Sequence, residues 1–286
     1  MKERFRLIKE KLLHYTWDLA YGHYSMSVLT DGLSNGNYTI VKNPYKNKWF
    51  ADPFIYKDSL EQLELFVEEF DYSIGRGRIG HIVISKQTNK IEKLSIILEK
   101  DTHLSFPVIY RINGKVYVHP ENSASGKSYM YRYDEEKDKL VEPVEVLAEP
   151  VTDAIIEEKD GHFEMYATKV PVPNGKELFV YKADSLFGLY EYKESWMFDK
   201  AYARMAGMFV KLVDGQIIRP AQDCDGGDYG QAVHFMQGKR VVSSLVPPAA
   251  RYAGLHTFNT LGSTFIVDLK RYDYPWLYRM KTRLKK

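Results

Sequence analysis

Cysteine is almost missing from this chain: Cys224 stands alone among 286 residues. No intrachain disulfide can form, and nothing in the cysteine usage points to an oxidising compartment. Long apolar runs are missing too. No stretch approaches the roughly 20 consecutive apolar residues that a membrane-spanning helix needs, and charged or polar side chains interrupt Met1 to Tyr24 every few positions, unlike a secretory leader. An excess of charge of one sign is also lacking, with 40 Lys and Arg against 38 Asp and Glu for a net +2. That balance excludes a broad basic groove, so no nucleic-acid partner is expected. Low-complexity tracts and linkers are absent, and the expectation is a cytoplasmic protein. Aromatic side chains are plentiful: 14% of residues, with 22 Tyr, inside a 44% hydrophobic content that suits a strand-rich core.

The organising pattern is a hairpin that recurs. Trp49-Phe50-Ala51-Asp52-Pro53-Phe54-Ile55-Tyr56 reads as an extended apolar segment, Lys57 to Gln62 as a polar reversal, and Leu63 to Glu68 as a second strand ending on a carboxylate. The same grammar returns at Pro107 to Glu121 about Asn113-Gly114, at Ala154 to Thr168 about Asp160-Gly161, and at Met208 to Asp223 about Asp214-Gly215, where these dipeptides suit tight hairpin turns. A fifth, weaker copy runs from Leu255 to Asp268. Recurrence at roughly 50 residues is the range of propellers and solenoids. Antiparallel hairpin turns in place of crossovers favour an all-β, five-bladed β-propeller over a parallel solenoid.

The expected organisation is a helical N-terminal extension over 1–37, the propeller over 38–272 and a basic C-terminal tail over 273–286. Phe5, Ile8 and Leu12 fall at helical spacing among basic residues, and Tyr274 to Lys286 mixes aromatics with cations. The two tails suit peripheral contact with an anionic membrane. Tyr38 to Val41 is the candidate strand that closes the ring from the other terminus. Gly75-Arg76-Gly77-Arg78-Ile79-Gly80 has the letters of a dinucleotide fingerprint but lies between strands. It reads as a turn that lifts two arginines.

Aligning the copies by their turns puts Asp52, Phe106, Asp153, Gly207 and Gly254 at the start of the inner strand. Glu68, Glu121, Thr168 and the pair Gln222-Asp223 fall at the end of the next one. A hairpin returns to where it began, so both rows belong to one face near the axis, with His103, His256 and Arg204 beside them. Paired carboxylates, one ionised and one protonated, are what glycosidic chemistry requires. Asp52, Glu121 and Asp153 are therefore the candidate catalytic acids. Glu68, Arg78, His103, Arg204, Gln222, Asp223 and His256 are candidate substrate-binding residues, Arg204 through bidentate bonds to a carboxylate or phosphate. His103, His256 and the acids lack a compact ligand spacing, so no metal is expected. Cys224, between Asp223 and Asp225, is a poor nucleophile because neighbouring carboxylates raise a thiol pKa.

Ala51-Asp52-Pro53-Phe54, Glu68, Gly77-Arg78-Ile79-Gly80, His103-Leu104-Ser105-Phe106-Pro107, Pro120-Glu121, Ala203-Arg204-Met205-Ala206-Gly207, Arg219-Pro220-Ala221-Gln222-Asp223-Cys224 and Tyr229-Gly230 together resemble the N-terminal domain of glucosamine inositolphosphorylceramide transferase and its stand-alone bacterial relatives, over roughly residues 48 to 270. That domain is similar in fold to the five-bladed propellers of glycoside hydrolase family 43. The resemblance implies that Asp52 is the base, that Glu121 and Asp153 supply the acid and the modulator of its pKa, and that His256 sits in the central channel. The order Asp, Glu, Asp along this chain departs from the Asp, Asp, Glu of that hydrolase family. In the plant protein the recognised transferase domain is a separate C-terminal one, which the present sequence is not expected to include.

Three functions remain open at this point. The first is sugar transfer in cell-surface glycan assembly, with carbohydrate or activated sugar as partner, a nucleotide sugar as donor substrate and no cofactor. The second is hydrolysis of furanosides or pyranosides, and the third is a non-catalytic glycan-binding or scaffold propeller.

Overall fold

The computed structural model describes residues 14–33, 36–212, 214–227 and 229–274. Its sheets are the five blades of a β-propeller. The first comprises Lys48–Asp58, Gln62–Asp71, Arg76–Ser85 and Lys90–Leu98, and the second Ser105–Ile112, Lys115–Glu121, Ser128–Asp134 and Lys139–Leu147. The third comprises Val151–Lys159, His162–Lys169, Glu177–Ala183 and Glu191–Met197, and the fourth Val210–Lys211, Ile217–Gln222, Val233–Gln237 and Arg240–Leu245. The tight turns are formed as their residues require, with left-handed φ of 50° at Asn113, 73° at Gly114, 51° at Asp160 and 77° at Gly161.

The fifth blade contains the main departure from expectation. Thr264–Tyr272 pairs on one side with Tyr252–Gly254 and Phe258–Leu261, and on the other with Tyr15–His23. The strand that closes the ring is therefore Tyr15–His23, inside the stretch expected to be a helical extension. Its Tyr15, Trp17, Leu19 and Tyr21 alternate with Thr16, Asp18, Ala20 and Gly22, which is the period of a strand. Thr39–Ile40, within the candidate Tyr38 to Val41, adds only an outermost pair against Ala20 and Tyr21. The helix expected over residues 3–14 and nearly all of the basic tail over 273–286 lie outside the described residues. A short helix, Met26–Asp31, does form and buries Val28 and Leu29.

Arg76–Ser85 is a full strand, so only the left-handed Gly75 remains of the expected glycine-rich turn. Apolar faces of neighbouring blades pack on one another, as in the edge-to-face pair Phe54 and Phe106, 5.1 Å apart at 89°. These contacts fix the blades, and with them the side chains at the axis.

Candidate active site

In the first three blades the inner strand carries a bulge at the aligned position, where register shifts between Ala51 and Phe54, Ser105 and Val108, and Thr152 and Ile155. Asp52, Phe106 and Asp153 sit there with φ of 49°, 45° and 48°. Non-glycine residues held left-handed cost about 1–3 kcal/mol each and persist where the surroundings over-determine them. Here the bulge turns each N–H toward a carboxylate of the preceding blade. Asp52 N donates to Asp268 Oδ2 at 3.0 Å, Phe106 N to Asp52 Oδ2 at 3.1 Å and Asp153 N to Glu121 Oε2 at 3.2 Å. In the fourth blade Gly207 has φ 140°, and a Cβ there would lie 2.1 Å from Phe258 O. The aligned row is thus a set of blade-to-blade latches. Its fifth member slips: the inner strand of that blade starts at Phe258, so His256 and Thr257, not Gly254, stand at the axis.

The deepest cluster is Asp52, His256 and Asp268, all buried. Asp52 Oδ1 accepts from Thr257 Oγ1 at 2.8 Å and lies 3.2 Å from His256 Nε2. His256 Nδ1 lies 2.8 Å from Asp268 Oδ2, at an angle poor for a directed bond, so that contact is chiefly coulombic. Trp17 stacks on the imidazole at 4.0 Å and 23°. Burial works against the imidazolium, yet Asp268 and then Asp52 raise the His256 pKa. Asp268 is held below the usual carboxylate range, against its burial, mainly by His256. Asp52 is pushed up to about 7, first by burial and then by Glu68, Asp153 and Asp268, with His256 opposing.

A group whose folded pKa lies above its unfolded one binds more protons when folded, so its contribution to stability is present at low pH and is lost as pH rises through the folded value. Carboxyl 13C titration is expected to show one aspartate with a midpoint near 7 that vanishes in Asp52→Asn. Stability should fall between about pH 4 and 7 by an amount that the variant no longer shows. An Asp52 midpoint near 4 would refute this.

Beside that cluster, Glu121, Asp153, Arg204 and Gln222 form a second one. Arg204 Nε and Nη2 donate to Asp153 at 2.6 and 3.3 Å, Nη2 lies 3.8 Å from Glu121 Oε2, and Nη1 donates to Asn174 Oδ1 at 2.7 Å. The buried Gln222 amide donates to Asp153 Oδ2 at 2.6 Å and to Met205 O at 2.9 Å. The Arg204 guanidinium lies 5.3 Å from the centre of the Tyr229 ring. Burial and then Asp153 hold the Glu121 carboxyl well above its ordinary pKa. Asp153 is driven up by burial but ends below its ordinary value because of Arg204. The surroundings thus favour the proton on Glu121 and the charge on Asp153.

At the rim, His103 Nε2 lies 3.2 Å from Glu68 Oε1 and the imidazole is 44% exposed. Aromatic rings line this side: Trp49 stacks on Phe70 at 4.7 Å, and Tyr15, Trp17 and Tyr229 surround the Lys270 ammonium at 4.7, 5.7 and 4.9 Å.

Asp52, Glu68, His103, Glu121, Asp153, Arg204, Gln222 and His256 are therefore brought to one end of the axis. Two candidates are not. Arg78 is bound between strands by Glu69 at 2.9 and 3.0 Å and by Glu99 at 3.2 Å. It lies on the third strand of its blade and cannot reach the axis. Asp223 turns away to His234, 3.3 Å off, and accepts from the Asp225 N–H. Asp268, Thr257, Trp17 and Tyr229 belong to the site as well, although none of them is among the expected site residues. Asp268 had a signal, because it ends the fifth hairpin copy as Glu68 ends the first. Cys224 is buried, and burial above all pushes its thiol up to about 11, so it is no nucleophile.

Ligand atoms of Asp52, His256 and Asp268 lie within 4.8 Å of one another, close enough to suggest a cation. Both imidazole nitrogens already face the two carboxylates, at 3.2 and 2.8 Å, so an ion there would have to displace the ring from one of them.

The fold and its acid-lined axis define the class first: a five-bladed propeller similar to those of glycoside hydrolase family 43. A GH43B protein of a Bacteroides ovatus xyloglucan locus aligns with TM-score 0.50 at 13% identity, over 74% of this chain and 45% of that one. An exo-β-1,3-galactanase from Phanerochaete chrysosporium aligns with TM-score 0.50 at 10% identity, over 75% and 58%. Residues 36–244 match the family described as glucosamine inositolphosphorylceramide transferase 1, N-terminal, and the chain belongs to that family. It is 28% identical over 222 residues to glucosamine inositolphosphorylceramide transferase 1 of Oryza sativa subsp. japonica, covering 71% of this chain and 30% of that protein. The protein of the same name from Arabidopsis thaliana is 27% identical over 194 residues, or 65% and 25%. The chain thus spans about 30% of the length of these curated relatives or less.

Proposed function

We propose that the axial site makes a glycosidic bond, transferring a sugar from an activated donor during assembly of a cell-surface polysaccharide or glycolipid. The observation that carries this reading is the adjacency of Glu121 and Asp153, joined at 3.2 Å through the Asp153 N–H, with Arg204 2.6 Å from Asp153 but 3.8 Å from Glu121. That arrangement favours the proton on Glu121 and the charge on Asp153. Such a split is what protonation of a leaving oxygen and stabilisation of an oxocarbenium-like centre demand. The names of the plant relatives favour transfer. The fold of the family-43 hydrolases favours the second reading, hydrolysis of a glycoside by the same pair.

The work is placed in the cytoplasm, at an anionic membrane surface. Lys2, Arg4, Arg6, Lys9 and Lys11, with Arg279, Lys281, Arg283, Lys285 and Lys286, offer about 1 kcal/mol each near such a surface.

A screen of nucleotide sugars against aryl glycosides, with and without anionic phospholipid vesicles, tests the proposal. Nucleotide release that falls about 10²–10⁴-fold in Glu121→Gln, the usual loss for an acid–base group, supports transfer. Aryl release with the same dependence supports hydrolysis. Sugar binding without either activity would leave a glycan-binding propeller and refute both.

A further inference from the structure

The carboxylates of the site differ in how fully the protein has engaged them. Asp268 accepts from three backbone N–H groups. Asp52 is taken up by Thr257, Phe106 and His256, and Asp153 by Arg204 and Gln222. Glu121 accepts from Ser123 and from Asp153 N. Glu68 is the exception: among the described residues its only close polar partner is His103, at Oε1, and its carboxyl is not sealed from solvent.

The local backbone is built around this arrangement. Gly77 N donates to His103 Nδ1 at 3.0 Å, and Leu104 N donates to Gly77 O at 3.1 Å. An accepting Nδ1 must carry the lone pair, so the ring proton sits on Nε2, 3.2 Å from Glu68 Oε1. A Cβ on Gly77 would lie 2.7 Å from Glu68 Oε1, 2.8 Å from His103 Cε1 and 2.5 Å from Leu104 O. Only glycine lets the three groups close on one another.

We propose that Glu68 is the base that takes the proton of the attacking hydroxyl, with His103 as its positioning residue, while Asp52 holds the axis together. This rests on the glycosyl-transfer or hydrolysis reading above. The acceptor O–H gives its proton to the free Glu68 oxygen as the hydroxyl oxygen bonds to the anomeric carbon of an activated sugar. The bond from that carbon to the donor's leaving oxygen breaks with its electron pair on that oxygen. A departing alcohol takes the Glu121 proton, whereas a departing phosphate leaves as the anion. Glu68 faces Asp52 from its own blade, His103 from the loop into the second, Tyr15 from the closing strand and Tyr229 from the loop after Gln222. His103 in turn faces Asp52 and Arg204.

The test measures kcat and KM of the full chain with a panel of nucleotide sugars and of nitrophenyl glycosides. Glu68→Gln, close to isosteric, is expected to lower kcat about 10²–10⁴-fold with KM within about threefold. In His103→Leu the carboxylate loses the neighbour that orients it, so kcat falls about tenfold or more with KM little changed. His103→Gln, which can both accept from Gly77 and reach Glu68, brings kcat back toward wild type. An unchanged kcat in Glu68→Gln or in His103→Leu, or no recovery in His103→Gln, overturns the inference while leaving the functional reading standing. A wild-type chain that releases neither nucleotide nor aryl alcohol overturns both. Thermal unfolding of each variant separates loss of the base from loss of the fold.

Discussion

Replacing Asp268 by alanine is expected to lower the unfolding free energy by about 3–5 kcal/mol, the usual cost of removing one partner from a buried ion pair. The residue is fully buried and binds the axis in two ways. It accepts the N–H groups of Asp52, His256 and Thr257, each at 3.0 Å, and it faces the imidazole of His256. Each buried donor left unsatisfied costs about 1–3 kcal/mol, and water entering the space offsets part of the sum. Asparagine keeps the shape and one acceptor oxygen, so Asp268→Asn should lose less. Urea denaturation at pH 7 measures both losses. A second signature is specific to the mechanism: with the largest raising influence gone, the His256 midpoint should move down on imidazole titration. An alanine variant within 1 kcal/mol of wild type would show that the axis is not held at this carboxylate.

Arg204→Met should cost a comparable 3–5 kcal/mol at neutral pH, with a pH dependence that identifies the cause. In the native protein the Asp153 pKa lies below its unfolded value. Its stabilising contribution is therefore present above the unfolded pKa and is lost as pH falls through the folded one. Without the guanidinium, burial raises that pKa above the unfolded value. The penalty is then full at high pH and fades on acidification, as the carboxyl takes up a proton. The stability gap between wild type and Arg204→Met should narrow from pH 7 toward pH 4. Arg204→Lys keeps the charge but loses the two-point grip on Asp153 at 2.6 and 3.3 Å, and is expected to fall between them. A gap constant with pH would rule out Asp153 as the group left unpaired.

Much of this geometry could be read from local sequence. The Asn-Gly and Asp-Gly turns set the hairpins, and the hairpins fix which residues share an end. Aligning copies by their turns brought together Asp52, Phe106 and Asp153, which prove to share a left-handed bulge, although nothing in their side chains announces it. What escaped reading depends on closure. Trp17 meets His256 only because the closing strand completes the fifth blade. The alternating Tyr15 to Tyr21 was there to be seen, but the helical spacing just before it drew the whole stretch into one extension. Arg78 misled for the opposite reason. Its neighbours Gly77 and Gly80 suggested a turn, yet both stand in a strand, and the partners that bind it, Glu69 and Glu99, are 9 and 21 residues away.

Closure by Tyr15–His23 also dictates when the ring can be finished. His14 and Asp273 meet across 259 positions of chain, so Tyr15–His23 must wait for Thr264–Tyr272 to be made before it finds its partner. Earlier blades can assemble during synthesis, but the strand Tyr15–His23 keeps an unmatched edge until Thr264–Tyr272 has been made. Contacts of such sequence separation slow folding and leave an aggregation-prone surface exposed in the meantime. The newborn protein's most vulnerable interval is thus the one just before the fifth blade is made.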